Sequence, residues 1–488
     1  MFYNMFMAFI RKVKTASGAT AVQIARKSGG RVVRIEHIGS AHNSEDLEVL
    51  VSLAKKRLLA GQQPLFTSGD NLQIKLRQSC SRLLFQVLNE QYRRLGFSQL
   101  NDSDFASLCI ARIVEPTSKL DSLRVLADMG ITSLSKSRLH RSLEQVVRDN
   151  YRQTISKLCF NHVSGENLNL VLYDVTTLYF EVQEEDDYRK PGLSKERRLE
   201  PQIVIGLLVD QSGFPLSLQS FKGNTAETKT ILPVLEEFRR QHDLGKVTVV
   251  ADAAMLSRVN LEALATSGYC FIVGSRLTKI PYDISEFQKQ TKSKFTDNQI
   301  FVVSKGNYTV IYQYKEKRAK LDRKNIEAQV VKAQRMIKGI APVKRNRFVT
   351  LESETKTLNQ NLIDKAYSLA GIKGYVTNLS IPPQEIINAY HELFNVEKSF
   401  RMAKSDLKAR PIFHRKRDVI EAHLTVVFAA LAISRRIEKQ TGLSIKKFVK
   451  TLRPIRSGTV VINGTGYPAE PEIPEDIHNL LKKLESGH

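Results

Sequence analysis

Two apolar segments of this chain each carry a single aspartate. Asp174 lies within LVLYDVTTLYF, a nearly continuous run of apolar and aromatic residues, and Asp252 ends the run VTVVAD. Runs of this kind predict strands that a sheet covers on both faces. Burying an ionised carboxylate is costly unless a cation or dense hydrogen bonding compensates it. The pattern therefore favours metal ligands, and an aspartate that caps a turn at a strand end is the alternative for each.

A third acidic residue, Glu397, falls on a long helix predicted to start at Pro383. Residues spaced three and four apart lie on one face of a helix. The residues with that spacing are Ile386, Tyr390, Leu393, Glu397, Phe400 and Lys404. We therefore expect Glu397 in an otherwise apolar stripe, either as a metal ligand or as half of a buried pair with Lys404.

Three carboxylates that converge would suit a divalent cation. Oxygen is the donor that Mg²⁺ prefers, and crowded acids resist ionisation until cations neutralise them. Two ions roughly 3.5 to 4 Å apart can activate a water or a 3′ hydroxyl and stabilise the leaving oxygen of a phosphodiester. The sequence thus predicts a site of Asp174, Asp252 and Glu397 for two Mg²⁺ ions, for which Mn²⁺ can substitute. No zinc-type histidine cluster, glycine-rich phosphate loop or nucleophile elbow competes with it.

The charge of the chain points to a polyanionic partner. The formal charge is +24, and Lys and Arg that neutralise phosphates release counterions. Nucleic acid is the expected partner, and an anionic membrane surface is the weaker option. The four cysteines form no CxxC pair, which fits a reducing cytoplasm. The most apolar segment, 420–433, is shorter than the about 20 residues of a spanning helix, so we expect a soluble protein without membrane contact.

Hydrophobic periodicity divides the chain into six segments. Between 163 and 278, three strands are followed by helix, strand, helix and strand, an order that matches a ribonuclease-H-like mixed α/β core. The predicted segments are a small basic β-module at 1–42, a helical DNA-binding region at 43–162, the first part of the core at 163–278, an insertion subdomain at 279–370, the second part of the core with the Glu397 helix at 371–440, and a tail at 441–488.

A possible DNA-reading element lies inside the helical region. The segment SKLDSLRVLADMGITSLSKSRLHRSLEQVV predicts a helix, a break at Gly130 and a second helix capped near Ser135. This pattern is typical of a helix-turn-helix DNA reader, but glycine-broken helical hairpins are also common structural elements. Both interpretations stay open at this point.

Several of these residues resemble one known family. YHELFNVEKSFRMAK places Tyr390, Leu393, Glu397 and Lys404 at the spacing of a Tyr, Arg, Glu, Lys signature, with leucine in place of the arginine. This signature resembles the DDE transposases of bacterial insertion sequences, in particular the insertion sequence four superfamily. YDVTTLYFE around Asp174 and VADAAMLSRVNLEAL around Asp252 are similar to its two aspartate motifs. The long span between Asp252 and Glu397 implies, by the same resemblance, a β-rich insertion before the glutamate helix.

The resemblance implies a transposase that binds the terminal inverted repeats of an insertion sequence, cuts DNA with Mg²⁺ and transfers the strands. It implies that Asp174, Asp252 and Glu397 hold the catalytic metals and that Tyr390 and Lys404 contact transposon-end DNA. It further implies double-stranded DNA as partner, a homodimer in the synaptic complex, and a nucleoid-associated location in a bacterial cytoplasm. The alternatives are a ribonuclease-H-like nuclease without strand transfer and a noncatalytic, transposase-derived DNA-binding protein.

Further cations accompany the proposed site. Arg401 and Lys408 lie close in sequence to Glu397, where phosphates would have to approach, and we expect both to bind DNA. A solvated charged face is the alternative for such a helix. A second basic stretch in the insertion is expected to touch the DNA backbone without reading sequence. Its residues are Arg318, Lys320, Arg323 and Lys324.

Overall fold

The structure is a computed structural model. It describes residues 7–59, 74–163, 168–181, 184–193, 199–242, 245, 247–253, 257–275, 277, 281–291, 295–340, 342, 346–352, 355–462 and 465–485. The apolar opening MFYNMFMAFI predicts a strand or an extended start; it is described only from Met7 onward, and residues 1–6 lie outside the described set. The chain forms two compact units, residues 1–77 with 460–467, and residues 78–459 with 468–488.

The strands are β1 (Met7–Lys14), β2 (Thr20–Ser28), β3 (Arg31–Ala41), β4 (Ile74–Cys80), β5 (Leu170–Tyr179), β6 (Gln202–Val209), β7 (Pro215–Lys222), β8 (Thr248–Ala251), β9 (Cys270–Ser275), β10 (Ile300–Lys305), β11 (Tyr308–Tyr314), β12 (Val349–Glu352), β13 (Thr355–Leu358), β14 (Ile372–Thr377), β15 (Ser457–Ile462) and β16 (Thr465–Ala469). The helices are α1 (Ser44–Leu59), α2 (Arg82–Arg94), α3 (Ser103–Val114), α4 (Ser122–Asp128), α5 (Lys136–Arg148), α6 (Tyr151–Val163), α7 (Ile231–His242), α8 (Arg258–Thr266), α9 (Tyr282–Gln290), α10 (Glu316–Ile337), α11 (Gln360–Ser368), α12 (Pro383–His391), α13 (Phe394–Arg401), α14 (Arg417–Thr441), α15 (Ile445–Leu452) and α16 (Glu475–Glu485).

The first unit contains an antiparallel sheet of order β1-β2-β3 with α1 packed on it. Glycines at positive φ, Gly29 and Gly30, form the tight turn between β2 and β3. On the sheet, Val22 and Ile24 of β2 pack with Ala54 of α1. The strands β16, β15 and β4 form a further three-stranded sheet.

An eight-stranded mixed sheet organises the second unit, with the order β10-β11-β14-β9-β8-β5-β6-β7. Strands β5, β6 and β7 are antiparallel neighbours, whereas β8 and β9 add parallel to β5. Every residue of β6 is buried, and β5 is buried along most of its length, as continuous apolar runs predict. The expectation of a mixed α/β core is confirmed.

The segment between β9 and β14 differs from its predicted character. We expected a β-rich insertion, but in the part of 279–370 that the structure describes, α10 alone has 22 residues. Strands β10 and β11 extend the main sheet, because β11 pairs with β14. Helices α10 and α11 pack around Ile326, Ala333 and Phe348. The β-rich character that the resemblance implied is therefore wrong, and the basic stretch of the insertion lies on helix α10.

Helix α14 lies at the centre of the second unit. Most of its 25 residues are buried, and it packs against α2, α3, α5, α6, α15, α16 and the strand β7. One continuous hydrophobic core therefore joins helices α2 to α6 to the sheet. Among the described residues, no helix combines the length and hydropathy that a membrane crossing requires.

The predicted helical hairpin is present in the second unit. Helix α4 ends before Gly130, whose φ is +85°, and α5 starts after Ser135, whose side chain accepts a hydrogen bond from the Arg138 amide. Leu139 and Val146 are buried, while Lys136 and Arg141 are exposed. The local structure is confirmed, and DNA reading by α5 stays a prediction.

Candidate active site

The two aspartates lie at the same edge of the sheet. Tyr173 of β5 and Ala251 of β8 are the last paired residues of these parallel strands, so Asp174 and Asp252 follow at adjacent positions. The carboxyl ends of parallel strands are common positions for functional sites in α/β sheets. Pairing within the sheet thus brings together two acids that are far apart in sequence.

Neither aspartate is fully buried, although the apolar runs around them predicted buried positions. Asp174 is half-buried and Asp252 is exposed. The Oδ1 atom of each accepts a hydrogen bond of 2.7 Å from the next backbone amide, of Val175 and Ala253 respectively. Burial at Asp252 was wrongly predicted because the apolar run ends with the strand, one residue before the aspartate.

The expected long helix is interrupted near Leu393. Helix α12 ends at His391 and α13 begins at Phe394. At this junction the amides of Leu393, Asn395 and Val396 bond to carbonyls three residues back. Such winding turns the chain by about 120° per residue rather than about 100°, so later side chains rotate relative to the predicted stripe.

Rotation at this junction changes the environment of the glutamate. Glu397 is exposed, whereas Leu393 and Phe400 are buried. Lys404 lies beyond α13 in a π-helical turn, Met402–Asp406. The predicted apolar stripe around Glu397 and the buried pair of Glu397 with Lys404 are therefore both wrong.

Helix α13 is attached to the turn between β6 and β7. The Ser399 hydroxyl donates to the carbonyl of Gly213 at 2.6 Å, and the side-chain amide of Asn395 donates to the carbonyl of Gln211 at 2.7 Å. Gly213 has a φ of +85°, and a Cβ atom there would lie 2.8 Å from the Asn395 carbonyl oxygen. The sequence Asp210-Gln211-Ser212-Gly213 predicts a turn, which the structure confirms, and this turn holds the helix that carries Glu397.

Tyr390 connects helix α12, which precedes the helix of Glu397, to Asp252. Its hydroxyl donates to Asp252 Oδ1 at 3.1 Å, although the residue itself is only 5% exposed. Its ring meets that of Tyr375 edge-on, with 5.0 Å between centroids. Burial raises the pKa of Tyr390, and the charges of Asp252 and Glu397 raise it further. Glu397 therefore lies within electrostatic range of the same tyrosine that binds Asp252.

A lysine that sequence analysis missed belongs to this site. The Nζ atom of Lys373 lies 4.3 Å from the ring centroid of Tyr390. Burial lowers the pKa of Lys373, as do the charges of Arg318 and Lys315, whereas Asp252 and Glu397 act in the opposite direction. A signal was available, because Lys373 is the only charged residue in the strand IKGYVT, just as Asp174 is in its own.

Within the described residues, no three His, Cys, Asp or Glu side chains are grouped closely enough to hold a metal ion. The predicted DNA contacts occupy different environments. Arg401 and Lys408 are exposed and Lys404 is half-buried, whereas Tyr390 is buried with its hydroxyl on Asp252. The structure thus brings the two aspartates together and Glu397 near the lysine and tyrosine beside them, without forming a compact three-acid cluster.

Comparison with known proteins identifies the family. The family model described as transposase DDE domain matches residues 167–433, which is more than half of the chain and includes all three acids. The chain belongs to this transposase family. Among solved structures, it resembles the piggyBac transposase in a synaptic complex with hairpin DNA studied by cryo-EM, with 11% identity, a TM-score of 0.39, and coverage of 77% of this chain and 79% of that one. No curated protein sequence gives a significant match.

Proposed function

We propose that this chain is the transposase of an insertion sequence of the insertion sequence four superfamily. It would bind terminal inverted repeats, cleave DNA with a divalent metal and join the released strand to a target. Membership of the transposase DDE domain family supports the reaction class. The strand order β7-β6-β5-β8-β9, three antiparallel strands followed by two parallel ones, supports a ribonuclease-H-like core.

The observation that carries this proposal is the position of Asp174 beside Asp252 at the ends of parallel strands. The Tyr390 hydroxyl binds Asp252, and the charge of Glu397 raises the pKa of the same tyrosine, which supports a site shared by these acids. The donors are carboxylate oxygens and include exposed ones, a set that fits Mg²⁺ or Mn²⁺. Asp174, Asp252 and Glu397 would hold two such ions.

When bound, the ions would supply Lewis acidity to activate a water or a 3′ hydroxyl and to stabilise the leaving oxygen. The protein would contribute orientation, because the Tyr390 hydroxyl and the Ala253 amide both hold Oδ1 of Asp252. Loss of a partner that orients a metal ligand in this way typically costs about 10–100-fold in metal affinity or activity.

DNA would approach over exposed cations around these acids. Arg401 and Lys408 lie on the surface that follows Glu397, with Lys404 in the π-helical turn between them. On α10, exposed cations would neutralise phosphates without reading sequence. These residues are Arg318, Lys320, Arg323 and Lys324. Each transposon end would occupy one subunit, so synapsis of two ends would require at least a homodimer.

We also propose a division of labour along the chain. Segments 163–278 and 371–440 would form the catalytic core, with 279–370 inserted between them. Segment 1–42 and the helical region 43–162 would bind transposon ends, with the exposed face of α5 as a candidate DNA contact. Segment 441–488 would form the tail.

Substitution of Asp174 tests the catalytic assignment. Asp174→Asn should abolish nicking of end DNA in Mg²⁺ while end binding stays within about threefold, because a metal ligand but no phosphate contact is lost. Asp364→Asn, at an exposed aspartate of α11, is the matched control and should cut normally. Cutting that persists in chelator, or equal loss of binding and cutting in Asp174→Asn, would contradict the assignment.

A joining assay distinguishes the transposase from a nuclease on the same fold. Precut end DNA with a free 3′ hydroxyl is incubated with supercoiled plasmid and Mg²⁺. Covalent joining of the end to the plasmid is expected. Hydrolysis without joining would favour the nuclease, and end binding without either reaction would favour a noncatalytic DNA-binding protein.

A further inference from the structure

Lys373 is a charged residue in the middle of a buried sheet. It lies on β14, paired with Gln313 of β11, and the next residue, Gly374, pairs with Ser275 of β9. The side chain is half-buried and stands over two tyrosines, 4.3 Å from the ring centroid of Tyr390 and 5.7 Å from that of Tyr375. The strand therefore holds an ammonium group at a defined place beside the aspartate that Tyr390 binds.

Aromatic rings rather than a carboxylate hold this ammonium group. Among the described residues, no Asp or Glu forms an ion pair with Lys373, yet Asp252 and Glu397 are both near enough to influence its charge. A ring face attracts a cation without occupying its hydrogen-bond donors in the way that a carboxylate does. The three N–H donors of Lys373 therefore remain available to an anionic ligand.

We propose that Lys373 binds a phosphate of the DNA strand to be cut and that, before DNA arrives, its charge opposes metal binding at Asp252 and Glu397. This inference rests on the proposed function, since it assigns a role within that active site. The ligand is a phosphodiester, whose oxygens accept charge-assisted hydrogen bonds from an ammonium group.

Two effects of opposite sign follow from this position. Without DNA, the positive charge of the ammonium group lies near the same two carboxylates that a divalent ion needs. It would repel that ion and so weaken metal binding. With DNA, it offsets negative charge on the phosphate, so it strengthens binding of the strand in the reacting position. A residue that only supported the fold would weaken both processes together when replaced.

The test uses Lys373→Met, which keeps the length of the side chain and removes its charge, with Lys373→Arg as the conservative variant. Lys305→Met is the matched control, because Lys305 is an exposed lysine at the end of β10 in the same sheet. Calorimetric titration with Mn²⁺ alone measures metal binding by the free protein. Nicking of end DNA at saturating Mn²⁺ measures the second effect.

Lys373→Met should bind Mn²⁺ several-fold more tightly and nick DNA about tenfold more slowly, the loss expected for one charge-assisted hydrogen bond. Lys373→Arg should stay near wild type in metal binding and recover most of the nicking, and Lys305→Met should match wild type in both. If Lys373→Met fails to fold, Lys373→Gln provides the same charge removal with a polar group.

The outcomes separate this inference from the function on which it rests. If the wild type neither binds Mn²⁺ nor nicks DNA, the proposed function fails. If the wild type does both and Lys373→Met equals it, the role of Lys373 is overturned while the proposed function stands. Weaker Mn²⁺ binding together with slower nicking in a folded Lys373→Met protein would likewise overturn the inference, since that pattern indicates structural support.

Discussion

The hydroxyl of Tyr390 offers a sharp test of how the site is held. Tyr390→Phe removes one oxygen and leaves the ring packed against Tyr375 and beneath Lys373. The lost hydrogen bond, 3.1 Å long, has a charged acceptor, and such bonds contribute roughly 1.5–3 kcal/mol. Because Asp252 is exposed and water can replace the donor, we expect the free energy of unfolding to fall by only about 1 kcal/mol.

The functional loss should exceed the loss of stability. Replacing a residue that orients a metal ligand costs roughly 10–100-fold in metal affinity or activity. Asp252 keeps a second donor, the Ala253 amide, so the lower end of that range, about tenfold, is expected. Mn²⁺ titrations of the free protein and of nicking should therefore shift to higher concentration, opposite to the shift expected for Lys373→Met.

Tyr375→Phe is the control for this substitution. Tyr375 is buried against Tyr390, but its hydroxyl has no hydrogen-bond partner in the described part of the chain. It should leave the Mn²⁺ dependence unchanged. A Tyr390→Phe protein that bound Mn²⁺ as tightly as wild type and nicked DNA at the full rate would show that Asp252 is oriented without the tyrosine, contrary to this prediction.

Two further predictions concern stability. Burial raises the pKa of Glu421, but the 2.7 Å ion pair with Arg152 and hydrogen bonds outweigh it, and the net shift is downward from 4.5. This stabilisation is present above pH 4.5 and lost as the pH falls through the lower folded value. Glu421→Gln should therefore lower the free energy of unfolding in urea by roughly 2 kcal/mol at pH 7, and the difference from wild type should disappear in acid. A difference that does not depend on pH would contradict this prediction. A Cβ atom at Gly206 would lie 2.4 Å from the hydroxyl of Tyr173, the residue before Asp174. Gly206→Ala should therefore lower the free energy of unfolding by about 2 kcal/mol and slow nicking. Unchanged stability and nicking rate would show that Tyr173 can move freely.

The strands around the site could be predicted because burial leaves a continuous apolar signal. LVLYDVTTLYF and PQIVIGLLVDQ supply β5 and β6, and the acids within or after such runs stand out. The turn after β6 could likewise be predicted from Asp210 and Gly213. Local composition was sufficient here because the sheet buries these segments on both faces.

Other features depend on contacts that no local pattern encodes. The tighter winding before Glu397 accompanies the hydrogen bonds of Asn395 and Ser399 to the distant β6–β7 turn, so helical periodicity alone misplaced the glutamate. Lys373 belongs to the site only because sheet pairing and helix packing place it over Tyr390, whose hydroxyl binds Asp252. The pairing of β14 with β9 and β11, which extends the sheet, likewise joins segments far apart in sequence.

The burial of α14 between the preceding helices and the sheet has a consequence for dissecting the molecule. Helices α2, α3, α5 and α6 share their apolar contacts with α14, although α6 ends at Val163 and α14 begins only at Arg417. A fragment that ends before β5 would expose a large hydrophobic surface to water, and so would a fragment that begins at β5. Residues 78–459 should melt as a single cooperative body rather than as separable modules.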